Sequence, residues 1–291
     1  MKHLIILLMV VVAGNAGAAV KVVTSLPDLA DLARQIGGEK VVVESIVRGD
    51  QNPHAIEVKP SYMMKLKSAD LFLMIGMDLE LWAPQIIDGS RNSSLEVVDL
   101  SRRIAKLEIP ASLSASQGDV HRYGNPHYWL DPRNIRTVVE DIVAALSRKS
   151  PADQQLFQMN GDAYLGKLQM QIRRWEEVMK PFAGSTIITF HKSWTYFTAW
   201  LGLTVADQVE PKPGIAPSPS HTAKLISLVR QAGIKVIVVE PFYDASAAEQ
   251  IARATQAKVL RLPTSCGGTG GATGYVELMD YTIATLAGAL K

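Results

Sequence analysis

Apolar and polar residues along the chain predict strands and helices in turn. Short runs of branched apolar residues are followed by segments with apolar residues three and four positions apart. These are the patterns of a buried strand and of an amphipathic helix. Because strands that alternate with helices form parallel sheets, an α/β fold is predicted. The predicted strands cover residues 20–24, 41–47, 70–75, 94–100, 186–190, 205–209, 235–239 and 259–262.

The longest periodic segment, residues 151–179, predicts a helix in the middle of the chain. Tyr164, Leu168, Ile172 and Trp175 fall on or near one face, together with Leu156 and Met159. A proline at position 151 suits a first helical turn. At about 1.5 Å per residue the helix would be roughly 40 Å long, so we interpret it as a strut between two lobes.

The two groups of strands and the long helix predict the domain organisation. We expect an N-terminal lobe at residues 19–150, a linking helix at 151–180 and a C-terminal lobe at 181–291. Residues 1–18 are interpreted as a cleaved signal peptide, with a basic start, a short apolar run and the motif Ala16-Gly17-Ala18. The chain is therefore expected to be exported to the periplasm. The absence of cysteine at this junction argues against a lipid anchor there.

Composition and charge exclude some classes of function. The chain has 291 residues, of which 47% are hydrophobic, and a formal net charge of +2. Since no basic run stands out, a nucleic-acid partner is not expected. The single cysteine, Cys266, excludes an internal disulfide. Its loop setting leaves three alternatives open: a free thiol, a small buried residue or a soft metal ligand.

Three of the six histidines have settings that suggest a common site. His54 and His127 each follow an Asn-Pro pair, and His191 lies at the end of a predicted strand. Loops at the carboxyl ends of parallel strands are where ligands bind in such folds. Neutral imidazole is a good ligand for zinc and other late first-row metals. We therefore predict that these histidines surround one metal ion.

Other polar residues have weaker settings. Glu240 follows an apolar strand, and its carboxylate is expected either to pair with a cation or to point into the cleft. Asp131 and Glu57 are candidates to accept hydrogen bonds from the ligand histidines. His121 and His221 are interpreted as solvated, and His121 has the alternative role of assisting metal capture.

At these residues the chain resembles the TroA/ZnuA-like metal-binding receptors of bacterial ABC importers for zinc and manganese. The resemblance covers nearly all of the chain after residue 18. The motifs that support the resemblance are Asn52-Pro53-His54, Ala69-Asp70-Leu71, residues 125–132, Phe190-His191 and Val239-Glu240-Pro241, with the stretch 210–219.

The resemblance implies two Rossmann-like lobes joined by a rigid helix, with the metal in the cleft between them. It implies His54, His127 and His191 as ligands, a membrane permease as partner and a monomeric receptor. The histidine at position 191 is similar to the zinc members, and manganese or iron is the alternative metal. An aspartate common in the loop after the last strand is absent from residues 262–268. The fourth ligand is thus expected to be Glu240, with a water or Cys266 as alternatives.

Two other classes of function compete with a receptor. An exported zinc hydrolase would use an open coordination position to activate water, but no H-E-x-x-H motif is present. An adhesion protein would keep the same metal site. We therefore expect a receptor for zinc and no enzymatic activity.

Overall fold

The computed structural model describes residues 18–111, 121–212 and 214–291. The predicted signal peptide, apart from its last residue, lies outside these ranges.

The first lobe is built on a parallel four-stranded sheet with the order β2-β1-β3-β4. Val22 of β1 pairs with Val43 of β2 on one side and with Leu71 of β3 on the other. Both central strands are almost fully buried, which explains their continuous apolar sequences. The strands are β1 (Val20–Thr24), β2 (Val41–Ser45), β3 (Leu71–Met74) and β4 (Glu96–Asp99).

The second sheet repeats this topology with the order β6-β5-β7-β8, and its pairs are again parallel. Its most apolar strand, β7, is buried at every position. The strands are β5 (Thr186–Thr189), β6 (Thr204–Gln208), β7 (Val236–Val239) and β8 (Lys258–Arg261).

Helices connect these strands and cover both sheets. The described residues include α1 (Pro27–Gly37), α2 (Pro60–Lys67), α3 (Ala83–Ser90), α4 (Ile135–Lys149), α5 (Gln154–Met179), α6 (Thr195–Leu201), α7 (Pro219–Ala232), α8 (Ser246–Thr255) and α9 (Tyr275–Leu290). None of these helices combines the length and the apolar composition that crossing a membrane requires.

The long helix predicted between the lobes is α5, which has 26 residues and is about 39 Å long. It follows a 3-10 turn at Pro151–Asp153. Its buried face differs from the predicted one at the start of the helix, because Leu156 and Met159 are exposed. Phe157 and Gly161 face inward instead. An added Cβ at Gly161 would lie 2.8 Å from a methyl carbon of Val143, so glycine allows α4 to pack closely here.

The last helix ties the second lobe back to the first. Helix α9 packs against α5 and also contacts α1. Its residues Leu278, Ile283 and Leu286 belong to the same apolar cluster as Leu29 of α1 and Leu168 of α5. The two-lobe α/β fold predicted from the sequence is confirmed. The domain boundaries stay a prediction, since α9 follows the second sheet in sequence but packs on the first lobe.

Candidate metal centre

The three predicted histidines lie in loops at the carboxyl edges of the two sheets. His54 is in the loop after β2, His127 is in the loop after β4, and His191 comes two residues after β5. In parallel α/β sheets, ligands bind where such loops converge. The fold thus places two histidines of the first lobe opposite one from the second.

The histidine side chains form one compact group. Ring nitrogens of His54, His127 and His191 all lie within 4.8 Å of one another. The ring centroids are 5.1, 5.2 and 5.4 Å apart. Two imidazoles bound to one tetrahedral zinc, with Zn–N bonds of about 2.0–2.1 Å, would have centroids about 5.2 Å apart. The group therefore has the dimensions of a metal site with imidazole ligands.

The Asn-Pro-His motif at His54 forms a tight local turn. The side-chain oxygen of Asn52 accepts a hydrogen bond of 3.0 Å from the His54 backbone N–H. The indole of Trp82 donates to the carbonyl of Pro53 at 2.8 Å. Since asparagine in such turns bonds to the backbone two residues on, this motif fixes the His54 backbone without help from a metal.

The second motif fixes both the backbone and the ring of His127. Asn125 Oδ1 accepts from the His127 backbone N–H at 3.0 Å and from its Nδ1 at 2.9 Å. Because a carboxamide oxygen only accepts, Nδ1 carries the hydrogen and Nε2 carries the lone pair. That Nε2 lies 3.0 Å from Nε2 of His54. The ring nitrogen suited to a metal thus points at the other histidines.

The ring of His191 is oriented by a carboxylate from the neighbouring strand. Its Nδ1 donates to Oε1 of Glu210, which lies just beyond β6. The other carboxylate oxygen of Glu210 accepts from the backbone N–H of Gly214 at 3.2 Å. A carboxylate in this position selects the tautomer and makes the imidazole a stronger ligand. Nε2 of His191 is then the metal-facing nitrogen.

The site favours neutral imidazoles. Burial lowers the pKa of His54 and of His127 well below the ordinary value of 6.5, and nearby histidines lower the pKa further. Only a deprotonated nitrogen can bind a metal. Two of the three histidines are therefore ready to coordinate at neutral pH.

Two other predicted candidates lie outside this group. Glu240 is fully buried after β7, and its Oε1 accepts from the indole of Trp194 at 3.1 Å. Burial raises the pKa of Glu240, and the nearby His191 opposes that rise. Cys266 is also buried, and its thiol donates to Asp28 at 3.3 Å. Among the residues that the structure describes, the group within 4.8 Å consists of the three histidines alone.

The residues that orient the rings of these three histidines differ from the predicted ones. Asp131 pairs with Arg133 at 2.7 Å and Glu57 is exposed, so both predictions were wrong. Glu210 and Asn125 take this role instead. The sequence did offer a reason to select Glu210, because it follows a predicted strand as His191 and Glu240 do.

The solvated setting predicted for the two remaining histidines of the described chain is wrong. The half-buried ring of His121 lies 5.0 Å from that of His54. His221 lies on α7, and its Nε2 donates to the carbonyl of Gln208 at 2.9 Å. Neither side chain is simply solvated.

Comparisons with known proteins agree with the fold and with the site. The family described as zinc-uptake complex component A, periplasmic, matches residues 22–289. The manganese-binding lipoprotein MntA of Halalkalibacterium halodurans is 25% identical over 94% of this chain and 90% of its own length. The iron-binding protein YfeA of Yersinia pestis is 26% identical over 92% and 85%. The high-affinity zinc uptake system protein ZnuA of Bacillus subtilis is 24% identical over 96% and 90%.

Solved structures show the same architecture. A crystal structure of ZnuA superposes with a TM-score of 0.81 at 22% identity, over 94% of this chain and all 100% of the other. A manganese-bound periplasmic metal binding protein from Candidatus Liberibacter asiaticus superposes with a TM-score of 0.78 at 21% identity, over 94% and 100%. Because the family match covers nearly the whole chain, this protein belongs to the ZnuA family of periplasmic metal-binding receptors of ABC importers.

Proposed function

We propose that this receptor carries zinc. It binds one ion through His54, His127 and His191 and delivers it to the membrane permease of an ABC importer. The observation that carries the proposal is the convergence of three imidazoles within 4.8 Å. Imidazole suits zinc, whereas manganese prefers carboxylate, carbonyl and water oxygens. The names of the relatives divide among zinc, manganese and iron, so the choice of metal rests on these nitrogen ligands.

The proposal includes the cellular setting. The protein acts in the periplasm as a monomer after removal of residues 1–18, and zinc is its cargo. Support comes from the basic and apolar start of the sequence and from relatives that are named as lipoproteins or uptake proteins. A manganese or iron receptor is the alternative within the same family.

Zinc titration of the metal-free protein against a competing chelator tests the ligands. We expect one zinc per chain, bound more tightly than manganese. Replacing His54, His127 or His191 by alanine should lower the affinity for zinc at least about tenfold, because even loss of a residue that only orients a ligand costs about that much. His221→Ala is the matched control, since the His221 ring is also held by a hydrogen bond, to the carbonyl of Gln208, but lies outside the group. Unchanged zinc affinity in all three variants would disprove the proposal.

Glu240 as a fourth ligand stays a prediction, and it has less support. The carboxylate lies beside His191 but is outside the compact group. Glu240→Gln keeps an oxygen that can accept from Trp194 while removing the charge. A tenfold or greater loss of zinc affinity would support ligation by Glu240, and wild-type affinity would exclude it without affecting the histidines.

A further inference from the structure

A buried carboxylate holds residues 75–80, the turn that follows β3. Glu80 is buried, and its two oxygens accept from the backbone N–H groups of Ile75 at 2.8 Å and of Gly76 at 3.0 Å. Burying a carboxylate is unfavourable unless its oxygens are hydrogen-bonded. Burial raises the pKa of Glu80 to about 7, and the bonds from the turn oppose that rise. The backbone of this turn therefore stabilises the carboxylate at a buried position.

The turn held by Glu80 has an unusual backbone. Gly76, Met77 and Asp78 have φ values of 85°, 51° and 61°. Residues other than glycine rarely adopt such values, and they do so where the surroundings impose the conformation, often at functional sites. An added Cβ at Gly76 would overlap a carboxylate oxygen of Asp99, so this position requires glycine. The conformation of the turn therefore depends on the side chain that binds its first two N–H groups.

One peptide group connects Glu80 to the loop of His127. The N–H of the peptide bond between Ile75 and Gly76 donates to Glu80, and the carbonyl of the same peptide bond accepts from the Tyr128 hydroxyl at 3.0 Å. Tyr128 is fully buried and follows His127 directly. Hydrogen bonds in a chain polarise and strengthen one another. Glu80 and Tyr128 therefore stabilise the same orientation of this peptide group, which links the carboxylate to the backbone beside His127.

A second contact connects the turn to the loop of His54. Trp82 lies two residues after Glu80, and its buried indole donates to the carbonyl of Pro53 at 2.8 Å. Pro53 directly precedes His54. The backbone N–H of Ala83 bonds to the carbonyl of Glu80 at 2.9 Å, which fixes the backbone around Trp82. Both proposed ligands of the first lobe are thus held from one turn.

We propose that Glu80 is a positioning residue of the metal centre. It holds the turn after β3 in the conformation from which Tyr128 and Trp82 fix the loops of His127 and His54. This inference rests on the proposed zinc-binding function. Glu80 itself lies outside the group of ring nitrogens within 4.8 Å. Loss of its carboxylate should loosen two of the three imidazoles together, because both loops depend on the same turn.

Zinc affinity in a matched pair of variants tests this role. Chelator competition near pH 8, above the pKa of Glu80, compares wild type, Glu80→Gln and the control Asp28→Asn. Glutamine keeps the length of the side chain but has one acceptor oxygen, and its NH₂ group faces a backbone donor. We expect Glu80→Gln to lower the affinity at least about tenfold, as does loss of a residue that orients one ligand. Asp28→Asn should bind zinc as wild type does, since this buried carboxylate of the first lobe accepts from Cys266 in the loop after β8.

A double-mutant cycle separates positioning from a general effect on stability. If Glu80 acts through Tyr128, Glu80→Gln should lower the zinc affinity less in a Tyr128→Phe background than in wild type, because the peptide group has already lost its other bond. Independent effects would multiply, and the inference would then be wrong. It is also wrong if Glu80→Gln lowers the free energy of unfolding in urea but keeps the wild-type affinity for zinc.

The two aromatic residues test the same path with Glu80 in place. Tyr128→Phe and Trp82→Phe each remove one hydrogen-bond donor and keep an aromatic ring. Each should lower the zinc affinity by less than Glu80→Gln does, since each releases one loop. Wild-type affinity in both variants would overturn the inference, even if Glu80→Gln does not fold. A wild-type protein that binds no zinc would overturn the proposed function together with the inference, which is a separate result.

Discussion

At the scale of single residues, the same asparagine turn occurs twice in the candidate metal centre. Asn52 and Asn125 each accept, through the side-chain oxygen, the backbone N–H of the histidine two positions later at 3.0 Å. The proline between them restricts φ and so reduces the freedom of the turn. The repeated Asn-Pro-His motif therefore holds each proposed ligand histidine in place without a metal.

Asn125 does more than Asn52, because it also connects the two lobes. Its Nδ2 donates to the backbone carbonyl of Lys192 at 2.8 Å and to Glu108 at 2.9 Å. Lys192 follows His191 directly in sequence. A single buried amide thus bonds to His127 in one lobe and to the backbone beside His191 in the other.

Asn125→Asp tests this connection. The new side chain keeps an acceptor for His127 but loses the N–H groups and places a negative charge against a carbonyl oxygen and Glu108. We expect the zinc affinity to fall at least about tenfold, as for other residues that orient ligands. Asn52→Asp is the matched control, since its turn needs only the oxygen. Equal zinc affinities of the two variants in chelator competition would contradict the role given to Asn125.

Much of the site could be predicted from these residues, and the rest could not for a physical reason. The three histidines stand in turns or at strand ends, which are local features of the sequence. Their partners act across space: Glu210 bonds to His191 from the adjacent strand, and His121 approaches His54 from 67 positions away. A pattern within a short stretch of sequence does not show which distant residue a histidine will contact.

At the scale of elements, strands were easier to predict than helix faces. The run at 70–75 gave β3 (Leu71–Met74) because a buried strand needs a continuous apolar sequence. In α5 the apolar Leu156 and Met159 are exposed, while Gly161 is buried against α4. The spacing of apolar residues predicts which helix face is buried, but it does not identify a glycine that is buried because it permits close packing.

A second contact between elements joins the start of α1 to the loop after β8. Asp28 accepts from the backbone N–H of Cys266 at 3.2 Å and from its thiol. Burial raises the pKa of Asp28 from 3.8 to about 6. The folded protein therefore favours the protonated carboxyl, and the resulting stability is lost as the pH rises through about 6.

Asp28→Asn should remove this dependence on pH. A shift from 3.8 to about 6 corresponds to about 3 kcal/mol between the two protonation states. Relative to the variant, the metal-free wild type should lose up to about 3 kcal/mol of unfolding free energy from acidic to alkaline conditions. Urea unfolding of both proteins near pH 4 and near pH 8 measures the difference. Parallel changes in the two proteins would show that Asp28 ionises freely in the folded state.

At the scale of the whole molecule, hydrogen bonds join the two lobes along a seam formed by Trp129, Thr264, Tyr275 and Asp31. The indole of Trp129 donates to the carbonyl of Thr264 at 2.7 Å, and the Tyr275 hydroxyl donates to the carbonyl of Trp129. The backbone N–H of Tyr275 bonds to Asp31 of α1 at 2.9 Å. With α9 packed on α5, these contacts oppose a wide rotation of one lobe against the other.

This seam predicts how the heat of the proposed zinc binding depends on temperature. Apolar surface that is already buried between the lobes, in the cluster shared by α1, α5 and α9, cannot be buried a second time when the ion enters. Burial of apolar surface is what makes the heat capacity of binding negative. Titration calorimetry over a range of temperatures should therefore give a binding enthalpy that hardly changes with temperature. A strongly negative slope would mean that the lobes separate in the metal-free protein and close on the ion.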